Sequence, residues 1–425
     1  MKRVLEIFST VIIALFLLSL FGWTVKEIST KNKKFGFITE PVKFMYSFPD
    51  LFKQSVEEVK TLPKTFIKTY EKFESVNELE RDLIVLFSHS ENNGDRTVKV
   101  MNLRNDSVLR SWTIENPWDE IARIVNPILL EDGSLIYNYA YKAKPGLIRL
   151  NPEGEMVWKN DSLVIHHGMN QNKDGDIWAC TKALPKASGR ISIGDKEVYY
   201  NDYRISKYSL ETGEMMFDKS ITEIMEENGL GNHIFKTPNT RDPWHLNDVQ
   251  PALWSGPYFE EDDIFISLRN ISMILHYRPS TNELINYFEG PFVNQHDIDI
   301  LDDSTLVLHN NNVYAELILK GFEPMKSNIK KAVDGGDYYS NIVRYNMASK
   351  AFDFVGDSIF KANRIFTKSE GLVEFIDHQT YFVEEQNTGL LWVIQNDEVI
   401  YKNVLKSQNE GYHHLPNWTR IVSYE

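Results

Sequence analysis

A chain of 425 residues with 42% hydrophobic and 12% aromatic content is long enough to bury a large core, which excludes a disordered chain. Sixty acidic residues against 46 basic ones give a net charge of -14, a field that opposes nucleic acid, so no nucleic-acid partner is expected and any anionic ligand needs a local cluster of cations. The single cysteine, Cys180, leaves no internal disulfide and no C-x-x-C pair, and is expected to be a small buried apolar residue.

In chain order, the first element is an uncharged run from Ile7 to Val25 behind Lys2 and Arg3. Its length suits a bilayer crossing, and the absence of a small-residue cleavage site favours a transmembrane anchor over a cleaved signal peptide. The expectation is a membrane segment over 1–25 that holds the remainder outside the cytoplasm, on the periplasmic side of an inner membrane. Residues 26–82 read as a helical arm: Leu51, Phe52, Val56 and Val59, then Phe66, Ile67, Tyr70 and Phe73, are spaced three or four apart, with Pro49 and Pro63 at helix starts.

From Leu83 to the end the pattern changes to short β-rich runs between turns such as Glu131-Asp132-Gly133, Pro152-Glu153-Gly154 and Asp174-Gly175-Asp176. Laid over one another, the segments starting at His167 and His296 agree: Asp174-Gly175 and Asp303-Ser304 stand at the same offset, followed by Ile177-Trp178 and Leu306-Val307. Looser copies begin near Val125, His245, Ala362 and His413. Repeated strands with no long helix between them need an architecture that hides its edges, and radial repetition does so. The expected fold is all-β: a six-bladed β-propeller over 83–425, with five or seven the neighbouring counts, preceded by the transmembrane helix and the short arm.

Innermost strands of a propeller converge on its axis, so His167, His245 and His296, at one repeat position of consecutive units, are expected to meet there. Alternation puts either His166 or His167 inward, and the shared offset favours His167. Asp297 reads either as a turn residue or as an orienter of a neighbouring ring. Trp244, Trp254, Tyr258 and Phe259 read either as an aromatic pocket for an acceptor or as a partner surface. No G-x-S-x-G elbow, phosphate loop or H-E-x-x-H helix is present, and no cofactor and no metal are expected.

The ordered set His245-Leu246-Asn247, then Ile266-Ser267-Leu268-Arg269 with Ser272 and Ile274, then Gln295-His296-Asp297, resembles the bacterial arylsulfate sulfotransferases. His166-His167 and Leu415-Pro416-Asn417-Trp418-Thr419-Arg420 fit the same pattern, so the resemblance runs from about His166 to Arg420. It implies nucleotide-independent transfer of a sulfuryl group from a phenolic sulfate to a phenolic acceptor through a sulfohistidine. The nucleophile falls on His296, its companions on His245, His167 and Arg269, and substrate contacts on Asn247, with Trp244 and Tyr258 as aromatic candidates. The chain departs from the family in carrying an anchor and an arm where a separate β-rich domain would precede the propeller. The rival reading is a non-catalytic propeller held at the membrane that binds a partner or ligand over its face. Neither donor, acceptor nor oligomeric state is legible.

Overall fold

The computed structural model describes residues 65–116, 123–140, 146–183, 188–193, 195–237, 239–313 and 339–424, with helical positions between 9 and 24. Lys64–Glu425 forms one compact unit and Met1–Pro63 another. Among the described residues no helix is long and apolar enough to cross a membrane. About half of the expected anchor and residues 26–64 of the expected arm lie outside the described residues.

Alternating apolar positions in short runs, each closed by an Asn, Asp or Gly turn, build antiparallel meanders. Three consecutive sheets repeat one plan. The first runs Val164–Gln171, Ile177–Lys182, Tyr203–Tyr208, Met215–Ser220, with the hairpin Gly189–Ile193/Lys196–Tyr200 inserted between its second and third strands. The second runs Leu246–Pro251, Ile264–Leu268, Met273–Arg278, Glu283–Phe288, and the third His296–Asp302, Thr305–Asn310, Asn341–Asn346, Ala351–Val355. A fourth plan-bearing sheet, Leu372–Asp377 to Glu398–Lys406, is extended by Tyr412–His414, Phe66–Lys68 and Val76–Asn77. In the fifth, the C-terminal strand Arg420–Ile421 pairs with Ile84–Ser90, which is followed by Arg96–Asn102 and Ser107–Ile114, so the two ends of the propeller sequence close one blade.

The expected count of six is corrected to five complete blades. The sector between the fifth sheet and the first lacks a continuous inner strand: two-residue strands, Arg123–Ile124 and Ile128–Leu129, pair separately with Leu135–Ala140, and Asn126 between them has a left-handed backbone. The expected helix through Phe66 is also corrected, because Phe66–Lys68 is a strand on Tyr412–His414. A helical spacing of apolar residues is overridden there by an available sheet edge.

The core lies in apolar layers between neighbouring sheets, as where Trp178, Cys180 and Ile205 meet Val249, Ile264, Ile266 and Leu275. Around the axis, side chains of successive inner strands tie to the backbone of the next sector. Asn126 accepts from Met169 N at 3.1 Å, Asn170 donates to Val249 O at 3.2 Å, and Asp248 accepts from Ile298 N at 2.8 Å. Asp297 accepts from Val373 N at 2.7 Å, Glu374 from Ile421 N at 2.9 Å, and Arg420 donates to Pro127 O at 3.0 Å, which completes the circuit. These ties hold the inner strands at fixed spacing and so fix where the histidines in or just before them meet.

Candidate active site

Each histidine sits at a break in strand register. The pairing of the inner strands shifts between Ile165 and Met169, between Leu246 and Asp248, and between His296 and Ile298. His167 and His245 have positive φ values of 105° and 47°, and Asp297, next to His296, has 56°. Bulges of this kind re-aim side chains and concentrate where a site needs them. Here they undo simple alternation, so that His166 and His167 both turn to the axis, with ring centroids 4.2 Å apart. Gly168 permits this, since a Cβ there would lie 2.7 Å from Asp248 Oδ1 and 3.0 Å from the Trp418 ring.

His167, His245 and His296 converge as the repeat predicts. His167 Nε2 lies 3.2 Å from His245 Nε2, and the His167 centroid is 6.0 Å from that of His296. Trp418 stacks on His167 at 5.7 Å and meets His296 edge-on at 6.3 Å, forming a wall between the rings and the channel beneath. Arg269, in a short turn after the strand Ile264–Leu268, is buried and donates to Asn270 Oδ1 at 3.0 Å. Its charge bears directly on His296.

The hydrogen bonds define the state of His296. Asn311 Nδ2 donates to the carbonyls of Thr367 and Glu370 at 2.9 and 2.6 Å, so its Oδ1, 2.6 Å from His296 Nδ1, must be the acceptor. Nδ1 therefore carries the proton. His296 Nε2 is left with a lone pair, and it accepts the Glu370 N–H at 3.2 Å. Burial first, and then the Arg269 guanidinium, hold His296 well below an ordinary imidazole, and burial does the same for His166 and His167, with Lys182 and neighbouring imidazoles adding to it. Across the site, His245 Nδ1 faces Asp242 Oδ2 at 2.6 Å. Burial raises the Asp242 carboxyl, but the His245 imidazole and the Tyr203 hydroxyl outweigh it and leave Asp242 below the usual carboxylate range.

His166, His167 and His245 each offer a ring nitrogen, all within 4.8 Å of one another, a donor set suited in number and type to a zinc-like ion. The charges of Lys182 and Arg123 bear on His166 and His167 and that of Arg269 on His296, while the carboxylates of Asp242 and Glu370 stand against His245 and Arg123.

The three expected substrate contacts are placed differently from one another. Trp244 is fully buried with its indole N–H on Thr222 Oγ1 at 2.9 Å, so it belongs to the core and lines no pocket. Tyr258 lies in the connection beyond the far end of the strand Leu246–Pro251, away from His245 at its start, and Trp254 there is tied to Asp303. Asn247 is buried and donates to Gln295 O at 2.6 Å, which supports the segment bearing His296. Asp297 orients no ring; its carboxylate is the tie to Val373 N. Sequence reasoning does not single out Asp242 or Asn311, and it names Trp418 only as part of the segment Leu415 to Arg420. Asp242 stands three residues before His245, a usable local signal, whereas Asn311 follows the strand Thr305–Asn310 and Trp418 precedes Arg420–Ile421.

Comparison with known proteins agrees with the ordered motifs. The family model of the arylsulfotransferases (ASST) matches residues 126–404. The chain belongs to the arylsulfotransferase family, on an all-β propeller. No curated protein matches. Among solved structures, similarity is found to a protein of unknown function from Bacteroides caccae (10% identity, TM-score 0.49, covering 80% of this chain and 98% of that one). A catalytically inactive virginiamycin B lyase from Staphylococcus aureus with quinupristin is similar at 12% identity and TM-score 0.33, over 78% of this chain and 99% of that one. At these scores neither bears on function.

Proposed function

We propose that the protein transfers a sulfuryl group from an aryl sulfate to a phenolic acceptor, without a nucleotide, through a sulfohistidine on His296. The observation that carries this reading is the Asn311-held tautomer, which leaves His296 Nε2 with its lone pair in a buried site beside a guanidinium. A neutral imidazole can attack sulfur, the N–S bond forming as the S–O bond to the aryl group breaks. Arg269 faces the charge that builds on the sulfuryl oxygens, and the low-dielectric surroundings strengthen that attraction. The Glu370 N–H, already on Nε2, is released to the incoming group. A phenolic acceptor then attacks the sulfur, the N–S bond breaks, and its electron pair returns to Nε2.

Incubation with 4-nitrophenyl sulfate and a second phenol tests this. Release of 4-nitrophenol that depends on the acceptor and disappears in His296→Ala supports the reading. Absence of release across several aryl sulfates favours the non-catalytic binding propeller. The uncharged run Ile7 to Val25 further supports placing the catalytic unit outside the cytoplasm at a membrane, which fractionation of the native protein checks.

A further inference from the structure

The proposed reaction gives His296 the role of a lone pair, but it also needs a proton. The departing phenolate must receive one, and the acceptor phenol must lose one. The opposite side of the site is built for that exchange. Asp242 Oδ2 lies 2.6 Å from His245 Nδ1, short even for a charge-assisted contact between nitrogen and carboxylate. An ionised carboxylate only accepts, so this contact fixes the proton of His245 on Nδ1 and turns its Nε2 toward His167 Nε2, 3.2 Å away. Two lone pairs at that distance repel, so in the resting site a proton lies between the two Nε2 atoms.

Asp242 is itself held. Its carbonyl accepts from Asn270 Nδ2 at 2.6 Å, and Asn270 N in turn donates to Trp244 O at 3.1 Å, which pins the Asp242–His245 segment to the turn carrying Arg269. The side chains of Asp242 and His245 are each only 19% exposed, so water competes weakly for the contact. His296, by contrast, is fixed by a neutral amide, Asn311. The two arms thus carry opposite supports: a neutral one where a lone pair is needed, and an anionic one where a positive charge must be borne.

We propose that Asp242 is a positioning residue that makes His245 and His167 a two-imidazole proton arm, which delivers a proton to the departing phenolate oxygen and takes one from the acceptor phenol. This rests on the sulfuryl-transfer reading. In the first half, His296 Nε2 bonds to sulfur, the S–O(aryl) bond breaks, and the His245–His167 pair, which carries one positive charge opposite Asp242, passes the proton between its Nε2 atoms to the aryl oxygen and is left neutral with a proton on each Nδ1. In the second half, the acceptor hydroxyl gives its proton to the same pair as its oxygen bonds to sulfur and the N–S bond breaks. No oxidant, metal or further reactant enters.

Leaving-group dependence separates this role from a merely structural one. With Asp242→Asn, 4-nitrophenyl sulfate, whose phenolate departs without help, should lose about 10-fold in kcat/KM. Phenyl sulfate, whose phenolate needs the proton, should lose about 1000-fold, near the upper range of general acid catalysis. Asp242→Glu should restore the shallower dependence. An equal loss for both substrates, or none, overturns the proposal. An independent readout on the full chain is ¹⁵N-histidine NMR: the wild type should show a protonated Nδ1 at His245 with a far-downfield proton that vanishes in Asp242→Asn while the His296 pattern stays. A wild type lacking that proton overturns the arm whether or not sulfuryl transfer occurs. Its presence in a protein without transfer removes the sulfuryl reading and the catalytic part of the proposal together, leaving a structural Asp–His pair.

Discussion

The two ends of the central channel hold comparable densities of titratable groups and are put to opposite uses. At one end, four imidazoles and Arg269 face one another, and His296 Nε2 accepts the Glu370 N–H. Further along, a cavity of about 410 Å³ is lined by Asp248, Asp297 and Asp299 from the strands that follow His245 and begin at His296, and by Glu374 and Arg420 from two others. There the carboxylates of Asp248, Asp297 and Glu374 are occupied by backbone N–H groups of the next sector, and Arg420 by carbonyls and amides. Burial, with mutual repulsion adding to it, pushes Asp248 and Glu374 up to about 7. A perturbed group is therefore no sign of a site by itself. What separates the ends is that the carboxylates and Arg420 are spent on ties between sectors, whereas the ring nitrogens of His167 and His245 face each other.

The comparison can be broken most severely at His296. His296→Ala should lower aryl sulfate turnover by about 10³-fold or more while the melting temperature shows the fold intact; an active variant would move the nucleophile elsewhere. Next, Asn311→Leu should cost about 10²-fold or more by freeing the tautomer of His296, as at other imidazoles held in the wrong tautomer. ¹⁵N shifts of the His296 ring read the cause directly, and an unchanged tautomer would contradict it. Gly168→Ala should destabilise by about 1–3 kcal/mol in denaturant titration, because its Cβ overpacks the join between the two ends. No loss would mean that Trp418 and Asp248 move apart at little cost.

At the carboxylate end the effects are smaller and depend on pH. Glu374 is raised by burial, with Asp299 adding to it, to about 7 in the folded state. Between the ordinary carboxylate range and about 7 the folded state binds the extra proton, so this group contributes stability at low pH that is lost as pH rises through that window. Glu374→Gln keeps an acceptor for Ile421 N without the titration. The variant should gain about 1–2 kcal/mol relative to wild type between pH 5 and pH 8 in parallel urea titrations, and a constant difference would refute the linkage. Tyr258→Ala, half-exposed beyond the carboxylate end, should leave aryl sulfate kinetics unchanged.

Much of the histidine end was legible because a repeat position is a statement about convergence. His167 and His296 share an offset and His245 starts a looser copy, and blades turn that repeat position into proximity. The choice between His166 and His167 was not legible, since alternation presupposes an unbroken strand and the bulge at Ile165 to Met169 breaks it. The aromatic residues misled for a related reason. Trp244 is adjacent to His245 in sequence, but its side chain runs into the layer against Thr222. The sector at 123–160 gives a repeat signal at Val125 while lacking a continuous inner strand, so the count from repeats exceeds the complete blades by one. Likewise Phe66 and Ile67 carry a helical spacing that only the distant edge at Tyr412–His414 could overrule. A supporting residue such as Asn311 acts on His296 from the end of another strand, and no local pattern marks it.

Rapid quenching after exposure to an aryl sulfate in the absence of acceptor, followed by intact and peptide mass analysis, tests the central claim most directly. The account predicts the mass gain of one sulfuryl group on His296, discharged when a phenol is added and missing in His296→Ala. An unmodified chain that still releases the first phenol at full rate, or a sulfuryl group on another residue, would contradict it.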